Sequence, residues 1–150
     1  METVLPDAGR QGRSRALAIN ASGEIVGASI TATGEDPVLW PSPTKFTVLG
    51  KGVSGKPSAA LAINGNGESV GYVKTSNGYD AILWHPKGAA TLLGDPGHQH
   101  FAKALALNDS GHSAGYACTN CYSWELHRRR GGAVDGGEGD AASGRCGRRG

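Results

Sequence analysis

One phrase is written three times along this chain: RALAINASGEIVG from Arg15, AALAINGNGESVG from Ala59 and KALALNDSGHSAG from Lys103. Asn20, Asn64 and Asn108 recur at an interval of 44 residues, and Gly27, Gly71 and Gly115 keep the same step. Trp40 and Trp84, Leu49 and Leu93, and Gly50 and Gly94 obey it too. Trp124 comes four residues early, so the third copy is shorter ahead of its tryptophan. A period of this length means that one small structural unit has been copied. Each copy is too thin to bury an apolar face alone and needs its neighbour to cover it.

Each copy divides into four short β-like pieces, expected at 16–20, 24–30, 37–40 and 46–49 in the first and at 60–64, 68–74, 81–84 and 90–93 in the second. The separators NASG, TATGED and PSPTK are answered by NGNG, TSNGYD and HPKGA. No piece sustains a three-to-four residue apolar period over ten positions, and 25 glycines favour turns over long helices. The Asn-x-x-Gly element has its own chemistry. The asparagine oxygen can accept from the backbone two residues on, and a glycine in fourth place takes the left-handed conformation that closes a hairpin. A calcium loop is the rival reading, but these asparagines are neutral and the ligand spacing of such a loop is missing. NAS and NDS also match the glycosylation sequon, which the turn geometry already explains.

The expected fold is all-β: tandem four-stranded antiparallel repeats of 44 residues forming a partial β-propeller-like array. Alanines alternate on each first strand (Ala16 and Ala18, Ala60 and Ala62, Ala104 and Ala106), as suits the crowded strand nearest an axis. Trp40 and Trp84 on the third strands should cover the faces between successive sheets. Gly27, Gly71 and Gly115 should mark a bulge or a close backbone approach in the second strands. The array spans 1–126: a fourth strand at 3–5 belonging to a missing blade, repeat one at 15–50, repeat two at 59–94 and a partial repeat three at 103–126. Repeat three supplies pieces near 103–107, 112–117 and 122–126, and no fourth-strand Leu-Gly follows.

Two readings of the ends follow. In one, the N-terminal strand is the piece that completes the last blade of a closed ring, although three blades are fewer than the usual four to eight. Alternatively the chain is cut from a longer array, which is the reading preferred on sequence. Residues 127–150 are expected to form a disordered Gly/Arg-rich tail, since LHRRRGGAVDGGEGDAASGRCGRRG holds too little apolar surface to offset ordering entropy. That text also has the look of an out-of-frame translation. A nucleic-acid arm is disfavoured: Asp135, Glu138 and Asp140 interrupt the arginines and no aromatic residue is available for stacking. The net charge of +2 argues no more strongly for a nucleic-acid partner.

Little in the chain carries reaction chemistry. No G-x-S-x-G elbow occurs, and Glu24, Glu68, Asp36 and Asp80 recur with the repeat as shared turn chemistry does. No catalytic, cofactor-binding or metal residue is assigned, and the chain is read as no enzyme. Cys118-Thr-Asn-Cys121 is the sharpest local motif. It fits plain hairpin cysteines, bridged in an oxidising compartment, ahead of a redox pair or of a zinc site completed by His98, His100 or His112. No apolar run approaches the roughly 20 residues of a membrane span, and no signal peptide is visible.

The pattern A-x-A-I-N-x-x-G-x-x-V-G, then x-L-W, then x-L-G resembles the HAF-type extracellular repeat of bacteria over residues 3–124. Copy three departs from it with Leu107, Ala114 and Ser123-Trp124. The resemblance implies a secreted or surface-associated β-repeat protein and transfers no functional residue. The expected function is therefore a non-enzymatic module that binds a carbohydrate or protein on the loops TATGED, TSNGYD and GDPGHQH, through Tyr79, His98 and His100. The alternative is a fragment of a propeller-borne hydrolase whose catalytic residues lie elsewhere. Exposed blade edges are the expected route of any self-association.

Overall fold

The computed structural model describes residues 4–8, 13–32, 34–50, 57–94 and 101–118. These form ten strands and no helix. The first sheet holds β1 (Ser14–Ile19), β2 (Ile25–Thr31), β3 (Gly34–Ser42) and β4 (Lys45–Val48) in that order. The second repeats it with β5 (Ser58–Ile63), β6 (Ser69–Lys74), β7 (Tyr79–Trp84) and β8 (Ala90–Gly94). A two-stranded sheet follows, made of β9 (Ala102–Leu107) and β10 (Ser113–Ala117). All pairings within the sheets are antiparallel, as hairpin connections of a few residues require. The expected third strand of repeat three and the expected tail lie outside the described residues.

The tips between first and second strands owe their shape to the repeated asparagine and glycine. Gly23, Gly67 and Gly111 have φ of 81°, 77° and 79°, and their N–H groups donate to the carbonyls of Asn20, Asn64 and Asn108. The side-chain oxygen of each asparagine accepts from the backbone four residues on, at 2.9 Å in all three copies. What the sequence did not disclose is the other end of the amide. Asn20 Nδ2 donates to the carbonyl of Asn64 at 3.1 Å, and Asn64 Nδ2 donates to that of Asn108 at 3.0 Å. The same residue that closes a hairpin thus ties it to the next.

The second-strand glycines answer to a backbone approach. A Cβ on Gly27, Gly71 or Gly115 would lie 1.8, 1.9 or 2.0 Å from the carbonyl oxygen of Arg15, Ala59 or Lys103. At the same point the first strand slips by one residue, leaving Leu17, Leu61 and Leu105 unpaired in a bulge. Sequence and structure agree closely here.

Successive sheets stack face to face, with the first strands β1, β5 and β9 packed side by side. Trp84, Ile82, Val73 and Ala60 of the second sheet bury against Val26 and Leu49 of the first. Val70 and Ala81 then meet Ala102 and Ala104 of the third. Trp40 and Trp84 are 0% and 1% exposed, and full burial of such a side chain contributes at least about 1.5–3 kcal/mol. Each indole also fixes the chain behind it: Trp84 Nε1 donates to the Gly50 carbonyl and Trp40 Nε1 to that of Pro6, both across 34 residues.

Three expectations need correcting. Val4 and Leu5, expected in a fourth strand, are in no strand, because no third strand lies beside them among the described residues; their segment still docks at the outer edge where a fourth strand would, through Pro6 on Trp40 and Asp7 on Ser29. β3 begins at Gly34 rather than 37, since Glu35 and Asp36 continue the ladder with Ile30 and Ser29. Ala16 is exposed whereas Ala60 and Ala104 are buried, because no described sheet precedes β1. Among the described residues no helix is long and apolar enough to cross a membrane.

Candidate binding site

Where the second strand turns into the third, the three sheets bring their most divergent side chains together. The repeat places residues 15, 59 and 103 opposite residues 28, 72 and 116, giving the pairs Arg15–Ala28, Ala59–Tyr72 and Lys103–Tyr116. Backbone position is constant while chemistry varies: Ala28 and Ala59 are buried in the core, whereas Arg15 and Tyr116 are exposed.

Four aromatic rings form a chain there. Tyr72 meets Tyr79 edge-on with centroids 5.4 Å apart, and Tyr79 meets Phe101 edge-on at 5.5 Å. Phe101 then lies 6.4 Å from Tyr116 at an angle of 31°. Such contacts add about 0.5–1.5 kcal/mol each beyond area burial. An isolated parallel bridge between Tyr79 and Phe101 sets the third sheet against the second at this point. The cluster continues towards the first sheet, where Glu35 accepts from the Tyr72 hydroxyl at 3.4 Å and is ion-paired with Arg15.

Cations cover the ring faces. Lys103 Nζ sits 4.1 Å from the centroid of Tyr72 and 4.9 Å from that of Tyr79, while Lys74 Nζ is 5.7 Å from Tyr79. Burial lowers the pKa of Lys103, opposed by the nearby Glu35 carboxylate. Burial raises the Tyr72 phenol, and Glu35 pushes it the same way; burial likewise raises Tyr116. The site offers phenol hydroxyls, lysine amino groups and apolar ring edges. That combination can hold a ligand with an apolar face and a polar rim.

Of the residues expected at a ligand end, Tyr79 lies within this cluster, though as the first residue of β7 paired with Lys74 rather than as a loop residue. Its backbone carries the ladder past the turn, which holds the ring more firmly than a loop would. His98 and His100 lie outside the described residues. Tyr72, Phe101, Tyr116, Lys74 and Lys103 were not anticipated. The 44-residue spacing of Tyr72 and Tyr116 was the available signal, since it places both on equivalent faces of adjacent sheets.

Cys118 is buried and disulfide-bonded, and its N–H donates to the Phe101 carbonyl at 2.9 Å. The bridge removes that sulfur from the thiolate ligands a zinc site would need. Cys121 lies outside the described residues. Among the described residues no three His, Cys, Asp or Glu side chains gather as metal ligands. No protein-family model, curated protein or solved structure matches the chain.

Proposed function

We propose that the chain is a non-enzymatic, HAF-like β-repeat module that binds a carbohydrate at the end of the array bearing Tyr79. The single observation that carries this reading is the run of four aromatic rings spanning two sheets, with Lys74, Lys103 and Glu35 around it. Sugar rings present apolar C–H groups that suit the aromatic surface left open beside the lysines, as at Tyr116, which is 39% exposed, and hydroxyls that bond to polar groups at the rim. The disulfide at Cys118 is in keeping with a secreted or cell-surface location, where such bridges persist.

Binding is tested by screening the full chain against immobilised oligosaccharides and measuring any positive by calorimetry. Tyr79→Ala and Phe101→Ala should each weaken binding at least tenfold while leaving the far-ultraviolet spectrum unchanged. A chain that captures no glycan, or one whose affinity ignores both substitutions, would sink the proposal. Capture of a protein at the same rings would replace the ligand class and keep the site.

A further inference from the structure

Every sheet in this array has two faces that differ in kind. The leading face, turned towards the next repeat, carries Ala18, Val26 and Leu39 in the first sheet and Ala62, Val70 and Leu83 in the second. The trailing face, turned towards the previous repeat, carries Ala60, Ile63 and Trp84 in the second sheet. Among the described residues the outer part of the first sheet's trailing face is already covered, since Trp40, Val38 and Ser29 are 0% exposed and Pro6 and Asp7 bond two of them; its first-strand part, and the leading face of the third sheet, are left over. Ile19, the counterpart of Ile63, is 65% exposed where Ile63 is 9% exposed. Ala106 and Ala114, the counterparts of Ala62 and Val70, are exposed on the last sheet.

The polar contacts stop in the same complementary way. The asparagine ladder runs in one direction, each Nδ2 donating to the asparagine carbonyl of the following copy. Asn108 ends it: its Nδ2 has no partner among the described residues, and His112 stands where Glu24 and Glu68 bond the earlier amides. Asn20 begins it among the described residues, where its carbonyl accepts only from Gly23 of its own turn. Between the second and third sheets Lys103 covers the ring of Tyr72. Tyr116 is the counterpart of Tyr72 and is 39% exposed, while Arg15 is the counterpart of Lys103 and has a side chain 53% exposed. The last sheet thus offers an amide donor and an open ring. The first offers, among the described residues, an unclaimed carbonyl lone pair and the half-exposed Arg15 guanidinium, which also pairs with Glu35.

We infer that the leading face of the third sheet docks on the trailing face of the first sheet of a second copy of this chain, head to tail, continuing the interface that already joins successive sheets. Asn108 Nδ2 then meets the partner's Asn20 carbonyl, Arg15 of the partner subunit covers Tyr116, and the partner's Ile19 is buried as Ile63 is. The N-terminal segment is already in place for this. Pro6 accepts from Trp40 as Gly50 accepts from Trp84, so it occupies the position of the preceding sheet's outer edge. Two chains so joined bring twice the three sheets of the described residues, within the range of about four to eight at which such arrays close into rings. A head-to-tail contact that closes makes a discrete dimer, and one that does not close makes a polymer.

The test is the mass of the full chain by light scattering across a concentration series, against 15.3 kDa for one copy. A dimer or a growing polymer is expected, and a monomer throughout overturns the inference. Ile19→Lys on one face and Ala114→Lys on the other should each abolish assembly with the far-ultraviolet spectrum unchanged. Leu92→Lys, on an outer strand that is also exposed, should not. Mixing the Ile19→Lys and Ala114→Lys chains leaves one intact pair of faces and should restore a one-to-one dimer. Assembly that survives either lysine, or a mixture that stays monomeric, shows the contact is not head to tail. Glycan capture through Tyr79 is a separate readout, so either proposal can fail alone.

Discussion

Trp84 donates its indole N–H to the carbonyl of Gly50 at 3.1 Å, and so hooks the second sheet over the outer edge of the first. The ring fills the space between the sheets while its one polar atom holds the neighbour's backbone. Trp84→Ala should cost about 3–5 kcal/mol in urea unfolding, and Trp84→Phe about 1–3 kcal/mol, since the latter keeps most of the burial and leaves a carbonyl unmatched. Equal costs for the two would mean that the hydrogen bond contributes nothing.

Asn64 is 3% exposed and donates to both Glu68 and the Asn108 carbonyl while accepting from the N–H groups of Asn66 and Glu68. Removing the amide breaks all of these bonds at a buried position, although Asn66 and Asn108 are exposed and Glu68 is half-buried. Asn64→Ala should therefore destabilise by about 1–3 kcal/mol, and Asn108→Ala by less in the monomer, because no described rung follows it. Chemical denaturation of the two variants side by side decides the order.

Gly71→Ala should be among the most damaging small substitutions in the chain. The added methyl would meet the Ala59 carbonyl oxygen at 1.9 Å, and that oxygen belongs to paired backbone that has little room to move. A loss of about 3 kcal/mol or more is expected, at the upper end of overpacking costs. A folded, unperturbed Gly71→Ala protein would contradict the bulge geometry.

The tyrosines give a pH dependence of definite sign. Tyr72 and Tyr116 hold their protons more tightly folded than unfolded, so their contribution is complete below the ordinary phenol value of 10.0 and is lost as pH rises through the higher folded values. Lys103 acts in the opposite sense: its lowered value disfavours the folded state as pH falls below 10.5. Absorbance at the phenolate band should show late-titrating tyrosines in the native chain. Tyr72→Phe should remove part of that late phase, and a native titration with no late phase would refute it.

The sequence made the frame readable because its rules are local and threefold. Asn20, Asn64 and Asn108 each sit four residues before a backbone N–H that they cap, and Gly27, Gly71 and Gly115 each sit opposite a carbonyl. The contacts between copies were harder to read. Whether Asn20 Nδ2 reaches the Asn64 carbonyl depends on how closely the sheets stack, and spacing along the chain does not encode that distance. The aromatic cluster escaped for a related reason. Tyr79 and Phe101 meet only because the chain entering β9 runs parallel to the start of β7, a pairing that no periodic pattern requires.

The rungs between Asn20 and Asn64 and between Asn64 and Asn108 have an evolutionary corollary. A unit that carries the donor for the copy ahead and the acceptor for the copy behind brings a ready-made joint whenever the gene segment duplicates. Lengthening such a protein requires no new invention at the seam. Selection is left free to edit the residues between the seams, such as those that differ among Arg15, Ala59 and Lys103.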